Sequence, residues 1–108
     1  MRDYRLYLDD LLEAIELIIK FTDGMTKEQF IADEKTSAAV IQKLEIMGEA
    51  ARNLPQDFCE EHSDVPWGRM ISFRNKLAHG YFSTSLGIVW DTAKNDVIPL
   101  HEKIKGLI

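Results

Sequence analysis

The 108-residue chain has very little cysteine: Cys59 stands alone. It can form no internal disulfide and no multi-cysteine metal site, and a reducing compartment suits it. No apolar run approaches the roughly 20 residues of a membrane span. The opening Met1-Arg2-Asp3-Tyr4-Arg5 leads straight into an acidic amphipathic pattern, unlike a signal peptide. A cytoplasmic protein with no membrane association is therefore expected. Positive charge is also in short supply. Lys and Arg number 13 against 18 Asp and Glu, giving a net charge of −5 and a sequence pI of about 5.1. That excludes a generally basic protein that coats nucleic acid. The chain has no Gly-rich phosphate loop, no Ser-His-Asp arrangement and no cofactor fingerprint, so no cofactor is expected.

One absence is local. Between residues 65 and 90 there is no Asp or Glu, while Arg69, Arg74 and Lys76 give that segment a charge of +3 and leave −8 on the rest. A confined basic spot suits one anionic group docking at one place rather than a long duplex. It suits equally a short helix whose cations pair with acids on neighbouring helices.

What is present is helical periodicity. In residues 2–23, Tyr4, Leu8, Leu11, Leu12, Ile15, Ile18 and Ile19 recur at three- and four-residue steps, with charged residues opposite and Gly24 as terminator. Thr26-Lys27-Glu28-Gln29 reads as a cap for a short turn around Phe30. A second long helix is predicted from about Asp33 to Leu54, stopped by Pro55. It is apolar on two sides, as expected of a helix central in a bundle or shared with a second subunit. Gly48, Ala50 and Ala51 would let a neighbour approach closely. Residues 55–65 read as a connection. A third helix is predicted from Pro66 to Ala78 or His79, ended by Gly80, with Ser63 or Asp64 as its cap. A last helix runs from Leu86 to Leu107 after a cap at Ser83–Ser85, with a kink at Pro99. No strand-like alternation, repeat or linker is visible. The expectation is a single all-α domain over residues 1–108, a four-to-five-helix up-down bundle.

On a wheel of about 100° per residue with Trp67 at zero, Met70, Leu77, Ala78 and Ile71 span an apolar arc, and Arg74 falls inside it at about 340°. A guanidinium cannot shed its proton, so at such a position it needs an acceptor or a ligand. Two partners compete: Glu45 or Glu49 of the second helix, or a phosphate in a cleft. Asn75 and His79 flank Arg74 on one side. His79 can serve simply by its favourable place near a helix C-terminus. Arginine, asparagine and histidine together also supply a fixed cation, a neutral hydrogen-bonder and a group that titrates near neutrality. Such a set suffices for RNA cleavage without metal, because the ribose 2′-OH is an internal nucleophile. Two His79 rings brought together in a dimer would supply both acid and base. Cys59, Glu60, Glu61, His62 and Asp64 are metal ligands by type, but a solvated loop is the simpler reading, and no metal site is assigned. His101 is expected to face solvent. Trp67, Phe73, Phe82 and Trp90 are expected in the core or an interface.

The run Arg74-Asn75-Lys76-Leu77-Ala78-His79-Gly80-Tyr81 resembles the Arg-x4–6-His motif of the HEPN superfamily. The wider text resembles its HepT-like branch: Met1-Arg2-Asp3-Tyr4, Ala32-Asp33-Glu34-Lys35-Thr36, Leu44-Glu45-Ile46-Met47-Gly48-Glu49-Ala50-Ala51, Val65-Pro66-Trp67 and Val89-Trp90-Asp91-Thr92. The resemblance extends over essentially the whole chain. It implies a HEPN-like homodimer acting as the ribonuclease toxin of a type VII toxin–antitoxin pair, whose antitoxin is a minimal nucleotidyltransferase of the MNT type. It implies catalytic roles for Arg74 and His79, a supporting role for Asn75, and Tyr81 as the residue to which the antitoxin attaches AMP. Tyr81 read without the resemblance is a packing side chain. A rival reading keeps the bundle but makes it a non-catalytic module that binds a nucleotidyltransferase. Glu45 and Glu49 are candidates to support Arg74 from behind.

Overall fold

The computed structural model describes residues 3–78 and 86–108. Helix α1 spans Tyr4–Thr22 and starts on Asp3, whose carboxylate accepts from the Arg5 backbone N–H at 3.0 Å. It buries Leu8, Leu11, Ala14, Ile15 and Ile18 on one stripe. Thr22, at the end of that stripe, donates its hydroxyl to the Ile18 carbonyl at 2.8 Å, which satisfies the one polar group buried there. Beyond Thr22 the chain turns through Gly24, whose φ of 74° lies in the left-handed region where a side chain would be strained.

Helix α2, Lys27–Ala32, opens with a full capping box: Gln29 N donates to the Thr26 hydroxyl, and Thr26 N donates to the Gln29 side chain. Asp33 ends α2 and caps α3, Glu34–Arg52, through its bond from Thr36 N at 3.0 Å. That bond and the Thr36 hydroxyl hold the Asp33 carboxyl below its ordinary range. Helix α3 is the centre of the molecule, packed along α1 on one side and α5 (Trp67–Ala78) on the other. This packing accounts for part of the two-sided apolar pattern, and Ile46 of the second side stays exposed.

Residues 55–65 are more ordered than the expected connection. They hold a helix, α4 (Gln56–Glu61), too short for any periodicity to show in sequence. Phe58 packs between Tyr4 and Trp67, with ring centroids at 5.1 and 6.2 Å. Trp67 is in the core and donates its indole N–H to the His62 carbonyl at 3.0 Å.

The last helix also departs from expectation. Helix α6 covers Leu86–Asp91; a π-helical turn follows over Thr92–Val97, then a 3-10 turn over Ile98–Leu100, then α7 over His101–Lys105. The distortion is therefore spread upstream of Pro99. A proline ring cannot sit against the carbonyl of the residue four before it, Asn95, and the preceding turn widens to make room. These segments pack on α1 and α2, and Val89, Ala93, Val97, Leu100 and Ile104 complete the core. The architecture is all-α, with no strand among the described residues.

Candidate functional site

The site is built where α3 and α5 cross. Helix α5 buries Trp67, Met70 and Leu77, and Arg74 lies on the same stripe, as the wheel places it. The crossing is close because α3 has no side chain at the contact point. A Cβ added to Gly48 would collide with the Arg74 Cβ, lie 2.7 Å from its Cγ and sit 3.0 Å from the Met70 carbonyl. Gly48 is therefore required by close approach. The aliphatic stem of Arg74 lies over it, and the guanidinium extends past it toward the next residue, Glu49.

The structure thereby chooses between the two acids. Glu49 Oε2 lies 3.4 Å from Arg74 Nη2, while no ion pair joins Glu45 to Arg74 among the described residues. The Arg74 side chain keeps 30% exposure and that of Glu49 44%, so this pair contributes little to stability. It also lacks the alignment of a hydrogen bond: Oε2 is shielded from solvent and has no hydrogen-bond donor among the described residues. On its other edge, Arg74 Nη1 donates to Asn75 Oδ1 at 3.3 Å. The guanidinium is thus lightly held between an acid and an amide, and most of its donor capacity is uncommitted to either.

His79 and Tyr81, together with Gly80, Phe82 and the Ser83–Ser85 cap, lie outside the described residues, so their predicted roles are not placed relative to Arg74. Asn75 is adjacent to Arg74 and exposed. Arg69, the other arginine of the acid-free segment, has Asp96 of the last helix 3.7 Å away. Both arginines therefore have an acid of a neighbouring helix within reach.

A feature missed by sequence reasoning adjoins the buried stripe of α5 at Met70. Arg69, Ser72, Phe73 and Lys76 line a groove of about 740 Å³ whose far wall includes Asn95 and Leu100. Arg74 does not line it. The i, i+3, i+4, i+7 spacing of those four residues was the available signal for a shared face.

Of the remaining candidates, His62 packs at a tilt of 48° against Phe58, ring centroids 4.6 Å apart, and the neighbouring Cys59 thiol is pushed up in pKa by burial and by Asp57. No group of three or more metal-ligating side chains occurs among the described residues. His101 is not solvent-facing as expected. Its side chain is only 21% exposed, with Nε2 at 3.1 Å from Glu16 of α1 and Nδ1 at 3.4 Å from Glu102. The partner that holds it against the surface of α1 lies 85 residues away in sequence, beyond the reach of local pattern. Phe73 and Trp90 pack partly buried against the core, as expected. No helix among the described residues is long and apolar enough to cross a membrane.

Comparison with known proteins gives the family of the chain. A protein of Thermococcus cleftensis named "Probable ribonuclease HepT" is 44% identical over 106 residues, covering 98% of this chain and 96% of its own. Two proteins named "Putative RNase" are also similar: one from Methanocaldococcus jannaschii, 43% identical, covering 98% of this chain and 91% of its own, and one from Caldanaerobacter subterraneus, 36% identical, covering 100% and 96%. No solved structure matches the chain. The family model described as "Ribonuclease HepT-like" matches residues 11–107, and the chain belongs to that family.

Proposed function

We propose that this protein is a metal-independent endoribonuclease that acts as a homodimer. The observation that carries the reading is the Arg74 guanidinium, mounted on a buried stripe over Gly48 yet left lightly paired. In this reading Arg74 neutralises charge on the phosphate oxygens as the ribose 2′-OH attacks phosphorus. His79 moves the proton between the attacking and leaving oxygens, and Asn75 orients the scissile group or the imidazole. The nucleophile belongs to the RNA, so the protein need only stabilise charge and transfer protons. The products are a 2′,3′-cyclic phosphate and a 5′-hydroxyl. The names of the relatives from Thermococcus and Methanocaldococcus support the ribonuclease part of this reading.

The reading extends to a toxin–antitoxin pair. The partner is an MNT-type nucleotidyltransferase antitoxin, and transfer of AMP to Tyr81, two residues from His79, blocks the site. The test is cleavage of RNA by purified protein in EDTA. Arg74→Ala is expected to lower the rate about 100-fold or more, as loss of a charge-stabilising donor does. His79→Ala is expected to lower it about 100- to 10,000-fold. Equal activity in wild type and both variants would mark a contaminant and leave the nucleotidyltransferase-binding module. Intact mass after co-expression with the antitoxin tests Tyr81: an AMP adduct that persists in Tyr81→Phe removes it as the target. Solution mass tests the dimer.

A further inference from the structure

Glu49 places its two carboxylate oxygens in different surroundings. Oε1 faces outward, accepting from Asn53 Nδ2 at 3.3 Å and standing 3.6 Å from Arg52 Nη2. Asn53 also donates to the Glu49 carbonyl at 2.8 Å, which ties this end of the side chain to the end of α3. Oε2 faces inward, shielded from solvent, with Arg74 Nη2 at 3.4 Å and no aligned hydrogen bond. An aligned, bidentate carboxylate would commit two of the guanidinium donors and quench it as a phosphate ligand. A shielded oxygen at this distance and angle acts through charge instead. It aims the guanidinium and can give it up when another anion arrives.

We propose that Glu49 is a positioning residue for Arg74. Its inward oxygen fixes the direction of the guanidinium before RNA binds, and the same negative charge opposes the incoming phosphate, so that orientation is gained at the expense of affinity. The proposal rests on the ribonuclease reading of the Arg74 site. It explains why the inward oxygen is left without a hydrogen bond: the donor that would satisfy it belongs to a guanidinium held for a second acceptor.

Two probes test it, a fluorophore-labelled oligoribonucleotide of mixed sequence for cleavage and its 2′-deoxy analogue for binding. Glu49→Gln, which keeps the shape and removes the charge, is expected to lower KM and the Kd of the 2′-deoxy probe about threefold, the size of one weak ion pair. Glu49→Ala frees the guanidinium and is expected to lower kcat about tenfold or more, since small misplacement of a positioned group is costly in rate. Glu49→Asp, which restores the charge, is expected to recover part of that kcat without the fall in KM. The positioning role is overturned if Gln and Ala variants keep wild-type KM, kcat and Kd. It is also overturned if their losses merely follow a loss of folded protein in thermal melts. Arg74→Ala separates the two levels. If it abolishes cleavage while the Glu49 variants are unchanged, only the positioning role fails. If it cleaves and binds like wild type, the ribonuclease reading of this site fails first.

Discussion

Helices α1 and α5 both pack on α3, and they do so with different chemistry. The stripe of α1 is apolar throughout, with Leu8, Leu11, Ala14, Ile15 and Ile18 at 0–2% exposure and the Thr22 hydroxyl turned back onto its own helix. The stripe of α5 buries only Trp67, Met70 and Leu77, and interrupts them with Arg74 over Gly48. The first contact holds the molecule together by removing apolar surface from water. The second gives up part of that burial to carry a cation at a fixed place. A fold that needed only stability could have continued the apolar stripe, and on the proposed ribonuclease reading the interruption is where α5 carries the phosphate-binding cation.

The sharpest way to break this comparison is to truncate the centre of each stripe. Ile15→Ala removes a fully buried side chain and is expected to destabilise by about 2–5 kcal/mol. In a domain of this size each kcal/mol is about 4–8 °C of Tm. Cleavage per folded molecule should not change. Gly48→Ala comes next. Alanine is the better helix former by about 1 kcal/mol, but its methyl meets the first side-chain carbons of Arg74 and a backbone carbonyl of α5, none of which is a flexible tip. A net loss of about 1–3 kcal/mol is expected from that overpacking. Unlike Ile15→Ala, it should also reduce cleavage per folded molecule, because Arg74 moves with α5. Wild-type stability in Gly48→Ala would show that the helices do not cross as closely as described. Arg74→Met, which keeps the packed stem, should stay within about 1 kcal/mol of wild type because both partners of the ion pair are substantially exposed. Its RNA cleavage should be lost. A large fall in Tm for this variant would make Arg74 a structural residue like Ile15.

The same contrast explains what could be read in the sequence. The bundle was legible because burial on α1 and α3 follows the helical period, while the two apolar sides of α3 suited either a central helix or one shared with a second subunit. Arg74 was legible as an exception to that period, and the small residues around Gly48 as a site of close approach. The choice between Glu45 and Glu49 was not, since both lie within a turn of each other. It depends on the axial register of α5 against α3, which the Gly48 contact sets. Non-local pairings such as His101 with Glu16 leave no mark on either segment's own pattern. The kink expected at Pro99 coincides with the 3-10 turn at Ile98–Leu100, whereas the π-helical turn at Thr92–Val97, upstream of it, has no marker of its own in the sequence. The predicted role of His79 comes from its wheel position beside Arg74 and from the resemblance, that of Tyr81 from the resemblance, and both residues lie outside the described ones.

The smallest expected effect sharpens the comparison at the start of α1. Asp3 caps that helix and also receives the Arg5 guanidinium, Nη2 to Oδ2 at 2.7 Å. The Arg5 side-chain bond, and then the backbone bond, lower its pKa from 3.8 to about 2. A carboxyl whose pKa is depressed by folding stabilises the fold above its unfolded value and loses that contribution as pH falls through the folded one. Thermal melts of wild type and Asp3→Ala should therefore differ most at neutral pH and converge between about pH 4 and pH 2, where the cap protonates. Exposure of both side chains and salt screening keep the difference small, and added salt should narrow it further. A difference between wild type and Asp3→Ala that stayed constant from pH 7 to pH 2 would show that the cap acts through its shape rather than its charge.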